Sequence, residues 1–189
     1  LKPVPKSTQF PPFGDHFKML QGEGFDVCDY VENQGVKEVW VWMYHTAEVA
    51  PIESNMAGPF GDISNSYRQP DLPVCAKTYT VYDYNYGRGL GEALEDHGHQ
   101  IEAVLRYVDD DLFWNKWVGE PLNCGQETFY RCGWIHSPPN NYPFCPVAQY
   151  EWYGENLVSS DCEDWKLDSS GQKKQVNCKT WENAFVNPD

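Results

Sequence analysis

The sequence predicts an α/β fold: a small, mainly parallel sheet flanked by helices, with an irregular disulfide-tied C-terminal extension. Three observations carry this. Residues 36–44 and 78–86 read as strands, a strongly periodic helix over 92–108 follows the second strand directly, and beyond Gly119 periodicity is lost while Cys, Trp, Pro and Asn accumulate. Residues 1–119 are expected to form the α/β core with an N-terminal extended arm, and 120–189 to pack on that same domain as a Cys/Trp-rich extension.

Taken in order, residues 1–22 carry Pro3, Pro5, Pro11 and Pro12 among polar and aromatic residues, which predicts an extended surface arm. Between Asp26 and Gln34, Val27, Cys28, Tyr30 and Val31 fall at helical spacing, with Asp26 placed as N-cap and Gly35 as C-cap. The run VKEVWVWMY is apolar on both alternating faces, which suits a central strand covered on both sides and places Trp40 and Trp42 inside. Residues 45–73 are rich in Gly, Pro, Asn and Ser and read as one long functional loop. TYTVYDYNY is β-branched and aromatic and ends at Gly87. In the following helix, Ala93, Leu94, Ile101, Val104, Leu105 and Val108 gather into a stripe expected to face the core.

Composition limits the function. With 28 Asp+Glu against 14 Lys+Arg, the net charge of −14 opposes nucleic acid and anionic lipid. No apolar run approaches the ~18 residues of a membrane span, so no membrane insertion is expected. Seven cysteines without a CxxC point to disulfides and a secreted, extracellular protein, and Leu1 reads as a processed end. Cys124 is expected to pair with Cys132 and Cys162 with Cys178, while the odd count leaves one cysteine free or bonded to a second chain.

Chemistry concentrates in two places. Glu92, Glu95, His99, Glu102 and Arg106 share one arc of the helix opposite the apolar stripe. There a divalent metal on His99 and Glu102, or a carboxylate-oriented imidazole, stands against a solvated face with a Glu102–Arg106 pair. His97 points away from His99 and forms no joint ligand pair with it. The second place is the carboxyl edge of the sheet, where parallel strands would bring Glu53, Asn55, Asn85, Arg88 and Glu92 to one crevice, with His45 beside them. The competing reading has the asparagines capping turns and Arg88 pairing with an acid. The Gly87-x-Gly89-x-Gly91 turn lacks phosphate-loop spacing, and neither Asp109–Asp111 nor the acids at 161–168 match a calcium loop. Trp134, Trp152 and Trp165 are the expected exposed rings.

The stretches GVKEVWVW (35–42), ESNMAGP (53–59) and YNYGRGLGEALEDHGHQIEA (84–103), and more loosely RCGWIHSPPN (131–140), SDCEDW (160–165) and NCKTW (177–181), resemble a family of secreted bacterial and fungal proteins of uncharacterised activity. The resemblance implies a site among Glu53, Ser54, Asn85, Tyr86, Arg88, Glu92, His99, Glu102 and His136. It also implies further sequence before the arm, including another strand, and more after the last cysteine.

The resulting expectation is a hydrolase acting on an extracellular glycan or protein. Glu53, Glu92 and His99 are its catalytic residues, Asn55, Asn85 and Arg88 bind substrate, and His99 with Glu102 would hold any metal. The alternative is a non-catalytic glycan-binding or filament-forming structural module.

Overall fold

The structure is a computed structural model and describes residues 14–22, 24–46, 49–61, 63–64, 72–119, 131–133, 135 and 157–176. The chain forms two compact units, residues 1–104 and 105–189.

In the first unit, the end of the expected arm is helical. Asp15 accepts a hydrogen bond from Lys18 N (2.9 Å) and caps α1, His16–Leu20, which buries His16 and Leu20. Helix α2, Val27–Asn33, starts at Asp26, whose carboxylate accepts from Cys28 N, and it stops just before Gly35 at φ +75°, as its sequence predicts. A Cys28–Cys75 disulfide ties α2 to the segment leading into the sheet.

The sheet comprises β1 (Glu38–Met43), β2 (Ser54–Ala57), β3 (Ile63–Ser64) and β4 (Tyr79–Asn85) in the order β1-β4-β2-β3. β1 and β4 are parallel, with Trp40 opposite Tyr82. β2 runs antiparallel to both β4 and β3, so the sheet is mixed rather than mainly parallel. Two further expectations are corrected. The central strand is β4, buried along most of its length, whereas β1 lies at the outer edge with Trp40 and Trp42 exposed. The supposed loop 45–73 contains β2 and β3. Ser, Asn and Ala give β2 little strand propensity, and its place is fixed by pairing to β4. Gly58 allows this approach, because a Cβ there would stand 2.9 Å from Thr78 Cα.

The sheet has two unlike faces. On one, Tyr79, Val81 and Ala57 pack with Leu20, Val27, Val31, Leu72 and Cys75, flanked by Val39 and Val41. Each buried aliphatic side chain contributes about 1.5–3 kcal/mol. Asp83 follows Val81 by two residues and is paired with buried His16 (2.8 Å), while also accepting from Ile52 N (3.1 Å). On the other face, Tyr82 and Tyr84 meet α3, Leu90–Val108, through His97.

That helix covers the span the sequence predicts, starting two residues earlier, but it does not bury the side that was expected to face the core. It buries Asp96, His99, Gln100 and Glu102 and leaves Leu94 and Ile101 exposed at 50 % and 57 %. In the expected apolar stripe Leu94, Ile101 and Val108 are exposed and Ala93, Val104 and Leu105 only half-buried.

In the second unit, Asp109 caps α4, Asp110–Leu112, which continues into a π-helical segment, Phe113–Val118. Gly119 (φ +74°) ends that segment against Arg131, whose N would lie 2.7 Å from a Cβ. Strands β5 (Val158–Ser160) and β6 (Lys174–Val176) pair antiparallel. Cys132 bonds to Cys162, which overturns both expected pairings, Cys124–Cys132 and Cys162–Cys178. Cys124, Cys145 and Cys178 lie outside the described residues, as do Trp134, His136 and Trp152. Arg131 and Asp161 form a buried ion pair (3.1 Å), and the guanidinium lies 5.0 Å from the Trp165 ring centre. Glu163 pairs with Lys174 and Asp164 with Lys166, so these acids carry protein cations rather than forming a calcium cradle. Among the described residues, no helix is long and apolar enough to cross a membrane.

Candidate active site on the α3 face

α3 buries Asp96, His99 and Glu102 together with Gln100. Glu92, Asp96 and His99 lie on adjacent turns at i, i+4 and i+7, so they share one side of the helix, with Glu95 and Glu102 flanking. His97 anchors the orientation. Its ring stacks on Tyr82 at 4.0 Å between centres, and Nε2 lies 2.6 Å from the Tyr84 hydroxyl. Gln100 adds a second tie by donating to Ile63 O (3.4 Å).

Asp96 is the group most altered by this packing. Its carboxyl is 2 % exposed, and Oδ2 has no hydrogen-bond partner among the described residues. Burial, then the negative charges of Glu53, Glu92 and Glu95, push its pKa up to about 8, against a smaller opposing pull from His99. At neutral pH Asp96 is therefore a protonated carboxylic acid. Burial also raises Glu92, despite Arg88 beside it (3.1 Å).

His99 Nδ1 lies 3.1 Å from Glu102 Oε2, and Nε2 lies 3.8 Å from Glu95 Oε1. Burial favours the neutral ring, but the Glu102 hydrogen bond and the charges of Glu102, Glu53 and Glu95 outweigh it and raise the pKa. Glu53 sits in left-handed backbone (φ +56°) immediately before β2, and its carbonyl accepts from Asp83 N (3.0 Å). Such a conformation in a non-glycine residue is a local strain of a kind that recurs at functional sites.

The sequence candidates therefore separate. Glu53, Glu92, His99 and Glu102 act on one another or on Asp96. Asn55 lies opposite Val81, and alternation along the strand sends its side chain to the α2 face, away from α3. Asn85 accepts from Gly87 N (3.0 Å) and caps the turn, while Arg88, exposed at its side chain, pairs with Glu92. His45 is exposed. Arg106 reaches Asp110 (3.0 Å) rather than Glu102. Asp96 was missed because it lies one residue before His97, at the border of the presumed apolar stripe; the signal that singles it out is burial, which the periodicity does not show.

Among the described residues, His99 and Glu102 belong to no group of three metal-ligand side chains. The two side chains address each other, and among the described residues the one group of three ligand-type side chains with atoms mutually within 4.8 Å is Cys28, Glu32 and Cys75, whose sulfurs are bonded together. The arrangement is instead suited to proton transfer: a neutral acid, several carboxylates and a carboxylate-bound imidazole. Against protein-family models, curated proteins and solved structures, the chain finds no match.

Proposed function

We propose that the protein is a secreted hydrolase that cleaves an extracellular polymer by general acid–base catalysis on the inward face of α3. The observation that carries this reading is Asp96, a buried carboxyl whose pKa is pushed up to about 8 by burial and by Glu53, Glu92 and Glu95. Asp96 donates its proton to the leaving oxygen or nitrogen as the scissile bond breaks. Glu53 takes a proton from the attacking water, whose oxygen forms the new bond. His99, whose pKa the Glu102 hydrogen bond and the neighbouring carboxylates raise against burial, is biased toward the charged ring that stabilises a developing oxyanion. Glu92 and Arg88 hold the rim. The two disulfides support export to an oxidising compartment.

The test is hydrolysis of a panel of soluble polysaccharides and denatured proteins by wild type and Asp96→Asn. Wild type should cleave one class, with a rate that falls above about pH 8 as Asp96 ionises. Asp96→Asn should lose about 100-fold or more. Equal rates and equal pH profiles would contradict the assignment.

A further inference from the structure

Six aromatic rings line the α3 side of the β1–β4 pair. Trp40 and Trp42 stand opposite Tyr82 and Tyr84 in register, and Tyr44 and Tyr86 extend the two rows by one step. Tyr82 and Tyr84 are buried, whereas Trp40 and Trp42 are each 55 % exposed, Tyr44 62 % and Tyr86 63 %. The exposed rings touch their neighbours at steep angles: Trp40 on Tyr84 at 77°, Trp42 on Tyr84 at 52°, and Trp42 on Tyr86 at 80°. Edge contacts of this kind fix the rings while leaving ring face uncovered. From Trp40 to Tyr44 the row runs about 13 Å, four strand residues at ~3.3 Å each. Its buried partners Tyr82 and Tyr84 are raised to about 12 chiefly by burial, with nearby negative charge, that of Asp96 included, adding to it.

Charge narrows the occupant by excluding anions. The chain carries −14, and Glu38 stands at the start of the row, accepting the Trp40 indole N–H at 3.0 Å. A second copy of the chain, or an anionic polymer, would bring acid against acid. A neutral polysaccharide brings C–H ring faces to the aromatic faces and hydroxyl donors to the carboxylates, with no charge to desolvate. We infer that the Trp40–Trp42–Tyr44 row with Tyr86 is a binding platform for a neutral polysaccharide chain. It leads toward the acidic face of α3 and makes the polymer of the proposed reaction a glycan. The substrate assignment rests on the hydrolase reading; the binding does not.

Affinity electrophoresis and tryptophan fluorescence with xylan, mannan and hydroxyethylcellulose test this, with polygalacturonate and casein peptides as the anionic and peptide probes. Asp96→Asn serves as a binding-competent background in which no probe is consumed. At least one neutral polysaccharide should bind Asp96→Asn. Trp42→Ala in that background should weaken binding roughly tenfold, and Trp42→Tyr should retain most of it. Trp42 is more than half exposed, so the variant should keep the wild-type thermal midpoint; if it does not, Tyr44→Ala provides the same readout. The inference is overturned if no neutral polysaccharide binds, if the ring variants bind like their parent, if polygalacturonate or casein binds in preference, or if Trp42→Ala converts a dimer to a monomer. Binding without cleavage by wild type would sink the hydrolase reading and leave the platform standing.

Discussion

The two faces of the four-stranded sheet are built on opposite principles. Toward α2, Val27, Val31, Val81 and Ala57 are all completely buried in aliphatic contact and Asp83 has its histidine and a backbone amide, while Asn55 is the polar exception there, its Nδ2 and Oδ1 buried with no partner among the described residues. Toward α3, the buried groups are Asp96, His99, Gln100 and Glu102, and Asp96 Oδ2 and Gln100 Oε1 have no partner among the described residues. The first face repays its ordering entropy by hydrophobic burial; the second opposes folding to the extent that its acids are desolvated. A face that opposes stability while the other supplies it is the pattern of a site retained for chemistry.

Perturbing the first face should therefore matter most. Removing the Cys28–Cys75 bond, which closes a loop between residues 47 apart, should cost about 4 kcal/mol by urea denaturation. His16→Ala removes the buried side-chain partner of Asp83 and leaves it only the Ile52 amide, which should cost about 3–5 kcal/mol. Leu20→Ala should cost about 2–5 kcal/mol through its cavity. A loss below 1 kcal/mol in all three would break the comparison.

The second face should respond in the opposite sense. Because folding raises the Asp96 pKa from 3.8 to about 8, the unfolded chain releases that proton first as pH rises. Wild-type stability should fall between about pH 4 and pH 8 on this account, and Asp96→Asn should match wild type at pH 4 and exceed it by up to about 5 kcal/mol at pH 9. On the outer side of α3, Leu94→Lys should change stability by less than about 0.5 kcal/mol, since the side chain is already half exposed. A large loss there would mean that α3 packs through its apolar stripe after all.

That last point marks where the sequence ceased to be legible. Helix α2 could be read in full because its cap, periodicity and glycine stop are local signals, and the parallel pairing of β1 with β4 followed from two strong strand patterns. α3 was legible in extent but not in orientation. Amphipathic periodicity assumes that the apolar side faces inward, whereas here Asp96, His99, Gln100 and Glu102 are buried while Leu94 and Ile101 are exposed. This reversed burial concealed Asp96 and made Glu53, Glu92, His99 and Glu102 neighbours for a reason the helical wheel did not supply. β2 was hidden because its residues are strand-like only when paired. The disulfides depend on long-range proximity that spacing does not encode.

The most direct measurement is an NMR titration of the Asp96 side-chain carboxyl carbon in selectively 13C-labelled wild type, assigned by its absence in Asp96→Asn. A midpoint near 8 is the predicted result, with the acid protonated at neutral pH. A midpoint near 4 would mean that the α3 face is solvated, and the acid–base site would fall with it.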